Sequence, residues 1–400
     1  RRVRMTGGLD QTFSKAARQW PAVAPAELVS GLGASVWDGK GHEYLDLGLA
    51  LGPMVLGYGD PDVDDAVEQA NADGPVFSRD HPLVREVADL LTEVIPCAEG
   101  GLAKFLLSGT DATTAALRCA RAYTGRNLIV SQGYHGWGET CPNQRGLVSQ
   151  LWTFAVEDWR TATRWTQAAA FIVEPEYVTD LQALRDFTAQ HGIVLIFDEV
   201  LSGFRVALGG YQEYAGITPD LACFSKALGN GYPISAVVGR REVMEIFRSI
   251  GVSGTYFGWT GGLAAAAAVI SKMRREPVIA RLWDIGERMK RAFVDAAQDF
   301  GVDGELRGLP PRMTVHFAGD KLVDPVLGVS QVPWRTLWSQ EMCRRGVLAN
   351  FGLSASYALS DADLERACIA IRETLAVMGG VDDPARALIG EPAGISLRAA

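Results

Sequence analysis

The 400-residue sequence contains no CxxC motif, and its six cysteines (Cys97, Cys119, Cys141, Cys223, Cys343 and Cys368) are widely dispersed. A disulfide framework and a zinc ribbon are therefore disfavoured, and a reducing cytoplasm is the expected compartment. The five histidines form no HxxxH or HExxH pair, so no metal site is expected. No run of about 18 apolar residues occurs, so no membrane span is expected. The opening Arg1-Arg2-Val3-Arg4-Met5 is basic but lacks the apolar stretch of a signal peptide. Basic charge is in deficit too: a net charge of −9 and a pI near 5.2 argue against a nucleic-acid surface. No GxGxxG follows a first strand, which leaves a nicotinamide-binding enzyme remote.

What remains is a globular composition, 48% hydrophobic and 21% charged, with length for two or three domain-sized units or for one large α/β unit and a smaller partner. Apolar, β-branched runs predict strands at 103–107, 127–131, 168–173, 192–198, 221–225 and 234–239. Helical spacing predicts helices at 110–124 and 180–190, the second stopped at His191-Gly192. Near-continuous apolar strands alternating with helices imply a mostly parallel sheet covered on both faces. The ends differ. Residues 34–47 alternate around Asp38-Gly39 as a hairpin does, 280–300 and 361–378 are amphipathic helices, and 310–317 and 345–350 suit strands of a small α+β unit. Ala264–Ala268 suits a closely packed helix, and the tail after Gly379 reads as a loose appendage.

Three features carry chemistry. After strand 103–107, Ser108-Gly109-Thr110 opens a helix, where free backbone N–H groups and the helix dipole can hold an anion. An ordinary N-cap by Ser or Thr, with Asp111 in the first turn, accounts for the same residues. Asp198 closes a strand too apolar to be exposed, and a carboxylate there needs a positive partner, either a core arginine or a protonated cofactor nitrogen. Lys226 closes another apolar strand 28 residues later; it either snorkels to water or uses a desolvated, nucleophilic amine. Together they place an anion cradle, a carboxylate and an amine at the carboxyl edge of one sheet, where such folds bind ligands. Pyridoxal 5′-phosphate needs this trio: a phosphate site, a carboxylate to keep the ring nitrogen protonated, and a lysine for its aldehyde.

The stretch from Asp198 through DEVLSGFRVALGGYQEYAGITPDLACFSKALGNGYP, with LGPMVLGYGDPDV (51–63), SGTDATTAALRCARAYTGR (108–126) and GYHGWGE (133–139), resembles the class III (fold type I) aminotransferases. Within them it is most similar to glutamate-1-semialdehyde 2,1-aminomutase-like proteins, well over residues 35 to 270 and loosely beyond. The resemblance implies an α/β fold with a mostly parallel central sheet and a smaller α+β domain built from both chain ends. Its expected divisions are 1–55 (small domain), 56–298 (large cofactor-binding domain), 299–378 (small domain) and 379–400 (tail). It implies that Ser108, Gly109 and Thr110 hold the cofactor phosphate, with Tyr134 stacking on the ring and His135 in the same cofactor-binding set. Asp198 binds the ring nitrogen, Val200 packs on the opposite face, and Lys226 is the Schiff-base and proton-transfer lysine. Thr255 reaches the phosphate of a neighbouring subunit, which implies a homodimer with shared sites. By position, Trp137, Glu139, Tyr256, Phe257 and Trp259 are candidates for the pocket, and the aromatic ones equally suit packing near a dimer interface.

The departures bear on substrate. The aminomutase places a carboxylate-receiving arginine in an N-terminal Ser-Pro-Val-Arg stretch, whereas residues 20–31 here, WPAVAPAELVSG, contain none. The stretch between Glu139 and Phe154 is shortened, and 350–360 lacks the acidic residue expected near a substrate amine. The expected function is a cytoplasmic transaminase that takes an amine donor such as L-glutamate and a carbonyl acceptor without a carboxylate, a keto-sugar, cyclitol or aminoglycoside of antibiotic-type metabolism. An aminomutase or epimerase is the alternative, and a catalytically silent binding protein of the same fold the third reading.

Overall fold

The computed structural model of the chain describes residues 11–138, 151–153, 158–160, 163–320, 332–350 and 352–393. The N-terminal Arg1–Met5 and Glu139 lie outside them. Two compact units divide the chain: Arg1–Gly48, Ile285–Ser354 and Leu359–Ala400 form one, Leu49–Asp284 and Ala355–Ala358 the other.

In the first unit β1 (Leu28–Leu32), β2 (Ser35–Asp38) and β3 (Glu43–Asp46) pair antiparallel in sequence order. The β2–β3 hairpin is the one the Asp38-Gly39 alternation predicts. Asp38 makes the turn, its Oδ1 accepting the N–H groups of Lys40 and His42 at 2.8 and 2.9 Å.

The second unit carries α1 (Pro61–Asp73) and α2 (Leu83–Val94), then β4 (Leu102–Leu106), α3 (Gly109–Thr124), β5 (Ile129–Gln132), β6 (Leu151–Thr153) and β7 (Ala170–Val173). It continues through α4 (Leu181–Gln190), β8 (Val194–Asp198), α5 (Tyr211–Ala215), β9 (Leu221–Phe224), β10 (Ser235–Gly239), α6 (Arg241–Met244) and α7 (Thr260–Arg275). These strands form one seven-stranded sheet in the order β4-β10-β9-β8-β7-β5-β6. β10 is antiparallel to both neighbours, and the other pairings are parallel. Six of the seven strands coincide with the apolar runs; β6, three residues long, is too short for such a run to mark.

One face of α3 explains its placement. Ala112, Ala115, Ala116, Cys119 and Ala120 share a buried cluster with Ile129, Ile172, Ile196, Cys223 and Val237 from the sheet. Side chains this small let the helix lie close on the strands, which sets its first turn above their carboxyl ends. The alanine run of α7 is likewise buried at Ala264, Ala265 and Ala266. α7 is also tied by Lys272 Nζ to Asp60 and Asp62 at the start of α1, at 2.7 and 3.0 Å.

The unit boundary falls inside α8 (Val278–Phe300), after which come β11 (Gly304–Leu309), β12 (Arg312–Phe317), α9 (Pro333–Arg344), β13 (Val347–Leu348), β14 (Gly352–Ser354), α10 (Asp361–Gly379) and α11 (Pro384–Ala387). β13 joins β3 in parallel, while β11, β12 and β14 form a separate antiparallel sheet. The tail departs from its reading as a loose appendage. Ala387 O and Ile389 N bond the side chain of Gln340, and Ala393 N donates to Thr336 Oγ1 at 3.0 Å, both partners on α9. Pro384 and Ala393 are buried as well, so polar tethers from a distant helix hold a segment whose composition looks unstructured. Among the described residues no helix is long and apolar enough to cross a membrane, and no cluster of metal-ligating side chains occurs.

Candidate active site

Parallel pairing puts the carboxyl ends of β5, β7, β8 and β9 at one edge of the sheet. β4 ends there too, because β10 is antiparallel to both β4 and β9. The residues that follow these ends are Ser108–Thr110, Gly133–Trp137, Glu174, Asp198–Val200 and Ser225-Lys226.

At the start of α3 a capping box forms. Ser108 Oγ accepts the Asp111 N–H at 3.2 Å and the Asp111 carboxylate accepts the Ser108 N–H at 2.9 Å. The capping account of these residues is therefore correct, and it occupies Ser108 while the Gly109 and Thr110 N–H groups lie outside the box. Gly109 is required by close approach: a Cβ there would stand 2.9 Å from Val200 Cγ1. Thr110 Oγ1 accepts the Trp137 N–H at 3.4 Å, and Thr113 Oγ1 donates to His135 O at 2.7 Å. These bonds draw the Tyr134-His135-Gly136 loop onto the helix. Gly136, at φ 92°, is the residue that fits, since a Cβ would fall 2.2 Å from Thr110 Oγ1.

Asp198 is 6% exposed and both oxygens are engaged. Oδ1 accepts the Val200 N–H at 3.1 Å; Oδ2 lies 2.8 Å from His135 Nδ1. The other ring nitrogen of His135, Nε2, faces the Gln132 carbonyl at 2.9 Å, which can only accept. With a carboxyl group on one side and a carbonyl on the other, both nitrogens face acceptors, which favours the protonated ring. Burial by itself lowers the pKa of His135, but the hydrogen bond and charge of Asp198, then the field of Glu174, outweigh it and raise it. His135 therefore orients Asp198 from behind with a buried positive charge.

Lys226 follows β9 by two residues, and Asp198 pairs in register with Cys223, three residues before it. Lys226 is half-buried and holds a left-handed backbone, φ 46°, unusual for a residue with a side chain. Ser225 Oγ pins the approach by donating to Ile234 O at 2.8 Å. Tyr134 is half-buried, and its N–H donates to Glu174 Oε1 at 2.8 Å. Thr255 stands apart on an exposed stretch before α7. Glu174 was missed by sequence reasoning although it closes the apolar run of β7 as Asp198 closes β8; the same strand-end signal would have found it.

A model of the aminotransferase class-III family matches residues 17–141 and 155–331. The chain belongs to the class III aminotransferases. It is 32% identical over 382 residues to the 3-aminobutyryl-CoA aminotransferase of Cloacimonas acidaminovorans (strain Evry), covering 89% of this chain and 90% of that protein. It is 30% identical to glutamate-1-semialdehyde 2,1-aminomutase 2 of Brevibacillus brevis (strain 47), with 86% and 89% covered. In fold it is similar to the FumI protein of Sphingopyxis sp. MTA144, solved in its PLP internal aldimine form, with TM-score 0.84, 24% identity and 94% of each chain covered. This class III aminotransferase is an enzyme of fold type I whose cofactor is pyridoxal 5′-phosphate.

A second carboxylate beside Asp198 has a different task in the aminotransferase. Glu199 is fully buried and accepts from Ser202 Oγ, the Tyr211 and Gln212 N–H groups, and Gln212 Nε2. It thereby satisfies the free N–H groups at the start of α5. Burial pushes its pKa up to about 6, against those hydrogen bonds, which pull it down. Because the folded value lies above the ordinary 4.5, the folded state holds a proton that the unfolded chain releases. That contribution is fully present below pH 4.5 and is lost as pH rises through about 6. The stability of the wild type relative to Glu199→Gln should therefore fall by roughly 2 kcal/mol across this window, measured by denaturant melts at each pH. Parallel curves would contradict the assignment.

Proposed function

We propose that this class III aminotransferase moves an amino group from a donor such as L-glutamate to the carbonyl of a small acceptor that carries no carboxylate beside the reacting centre. A keto-sugar, cyclitol or aminoglycoside-type molecule of secondary metabolism fits that description. The observation that carries the chemistry is the meeting of the α3 start, the Asp198–His135 pair and Lys226 at one sheet edge. The arginine-free stretch 20–31 supports the acceptor class. So does the relative whose name describes a CoA thioester, a substrate with its carboxyl group masked.

The residues fit the cofactor by their chemistry. The Gly109 and Thr110 N–H groups and the Thr110 hydroxyl would hold the phosphate, next to a glycine that leaves no room for a Cβ beside Val200. Asp198, backed by the His135 imidazolium, would meet the ring nitrogen, with Val200 and Tyr134 on the two faces. When bound, the cofactor supplies an electron sink for negative charge developing at the amine-bearing carbon. Lys226 would carry the cofactor, and its Nζ would take the proton from that carbon and return one. Ser108 is kept for the helix cap and His135 for Asp198, so both act on the cofactor through neighbours. Thr255 and the exposed apolar side chains of Phe77, Trp137 and Tyr256 support a homodimer in which Thr255 completes the neighbour's phosphate site. The free thiols of Cys97, Cys119, Cys223, Cys343 and Cys368 support a cytoplasmic setting.

The similarity to an aminomutase favours a second reading, in which the amino group never leaves the substrate. Mixing the loaded protein with L-glutamate separates the two. Transamination releases 2-oxoglutarate and converts the cofactor to its amine form, after which a panel of keto-sugars and cyclitol ketones identifies the acceptor. Absence of any keto acid from L-glutamate and from other amine donors, with proton exchange or rearrangement in the substrate itself, would overturn the transaminase.

A further inference from the structure

Among the described residues, six without glycine's freedom hold a left-handed backbone: Leu49 (φ 49°), Ala50 (53°), Leu51 (75°), Phe204 (57°), Lys226 (46°) and Asn230 (44°). All six belong to the unit that contains the large sheet. Leu49, Ala50 and Leu51 are consecutive and end at Gly52 (φ 103°), whose N–H donates to Leu49 O at 2.8 Å. Three such residues in succession are unfavourable for L-amino acids and persist only where the surroundings over-determine them.

Arg205, which follows the left-handed Phe204, supplies that determination. Its side chain is fully buried. Nη2 donates to the carbonyl of Gly52 and Nη1 to the carbonyl of Ala355 at 3.0 Å. A cationic donor forms the stronger kind of hydrogen bond, and here it is aimed at the residue that closes the strained turn. Beyond Gly52 stands the catalytic lysine: a Cβ at Gly52 would lie 3.3 Å from Leu201 Cδ2 and 3.9 Å from Lys226 Cδ. Asn230 secures the far side, its Oδ1 accepting the Leu56 N–H and its Nδ2 donating to Gly57 O, both at 2.9 Å. The turn thus lies between the guanidinium and the lysine stem, and a shift of the turn changes the space in which the lysine stem sits.

We infer that Arg205 is a positioning residue for Lys226: it clamps the left-handed turn Leu49–Gly52 against the lysine stem and so fixes where Nζ points. This rests on the reading of Lys226 as the cofactor-bearing, proton-moving residue. A guanidinium is needed because two separate carbonyls, from Gly52 and Ala355, must be held at once by one rigid fork.

The test uses the full-length, cofactor-loaded protein with Arg205→Met, Arg205→Lys and Gly52→Ala. Arg205→Met keeps bulk and removes the donors; it is expected to bind cofactor while kcat drops about 30-fold and the donor KM changes less than about threefold. The midpoint pH of the cofactor's visible absorbance is expected to move by about half a unit or more, which loss of stability alone does not cause. Arg205→Lys, with one donor group restored, should recover part of both. Should Arg205→Met fail to fold, Gly52→Ala decides, because it displaces the same turn from the lysine side with Arg205 intact, and the same two changes are expected. A folded variant of either kind with wild-type kcat and midpoint overturns the inference; failure of all three to fold also overturns it, leaving Arg205 a purely structural clamp. Borohydride trapping keeps this apart from the site reading. A label off the Lys226 peptide in the wild type refutes that reading, whereas a label on it in every protein with an unmoved midpoint refutes only the role of Arg205.

Discussion

Replacing Lys226 by alanine is expected to lower turnover by about 10³-fold or more, because in the proposed site one substitution removes both the cofactor's attachment point and the proton carrier. The lysine is half-buried at the sheet edge, and truncation leaves the backbone hydrogen bonds around it in place, so the fold should survive. The proposed phosphate site at Gly109 and Thr110 and the Asp198–His135 pair are untouched, so the variant should still bind pyridoxal 5′-phosphate, reversibly. Three measurements check this: steady-state turnover, the visible spectrum of the loaded protein, and borohydride labelling of the peptide around position 226. Turnover at the wild-type rate, or a label unaffected by the substitution, would refute the role given to Lys226.

Asp198→Asn is expected to cut kcat by about 10²- to 10³-fold, corresponding to roughly 3–4 kcal/mol at the transition state, by removing one partner of a buried charge pair. The geometry should persist. With the carboxylate gone, the largest influences that raise the His135 pKa are lost and burial pulls it down relative to the wild type. Nε2 keeps its bond to Gln132 O, and the new amide can donate to the bare Nδ1. The expected loss is therefore electrostatic: in the proposed site Asp198 is the carboxylate that keeps the ring nitrogen protonated, and the amide cannot. The same pair gives a pH signature. His135 has a raised folded pKa, so its contribution to stability is present below its ordinary 6.5 and is lost as pH rises through the folded value. The difference in stability between wild type and Asp198→Asn should shrink with rising pH in that range. A variant with kcat within threefold of wild type would show that Asp198 is a structural carboxylate only.

Much of this was legible in the chain because the signals are short-range. An apolar run ending in Asp198, another ending near Lys226, and Ser108-Gly109-Thr110 before an alanine-faced helix each report their local surroundings. The capping box at Ser108 shows the limit of such reading: cap and anion cradle use the same few residues, and only the bond pattern shows that Ser108 serves the cap. Arg205 stood in plain view within the family-like stretch, yet nothing local distinguishes a clamp from a surface arginine. The tail after Gly379 failed in the same way, since glycine, proline and acidic residues look unstructured until a partner as distant as Gln340 is known.

The order of residues along the chain, by itself, determined the strands, the helix that opens over them, the family and the three chemical groups. Tertiary structure alone decided which partners those groups have. His135 reaches Asp198 across 63 residues, and Arg205 reaches Gly52 and Ala355 across 153 and 150. Such pairings follow from strand order and from crossovers in the sheet, and local propensity and periodicity carry no information about either. The same holds for the backbone of Lys226, whose left-handed conformation its own residue type disfavours and its neighbours impose.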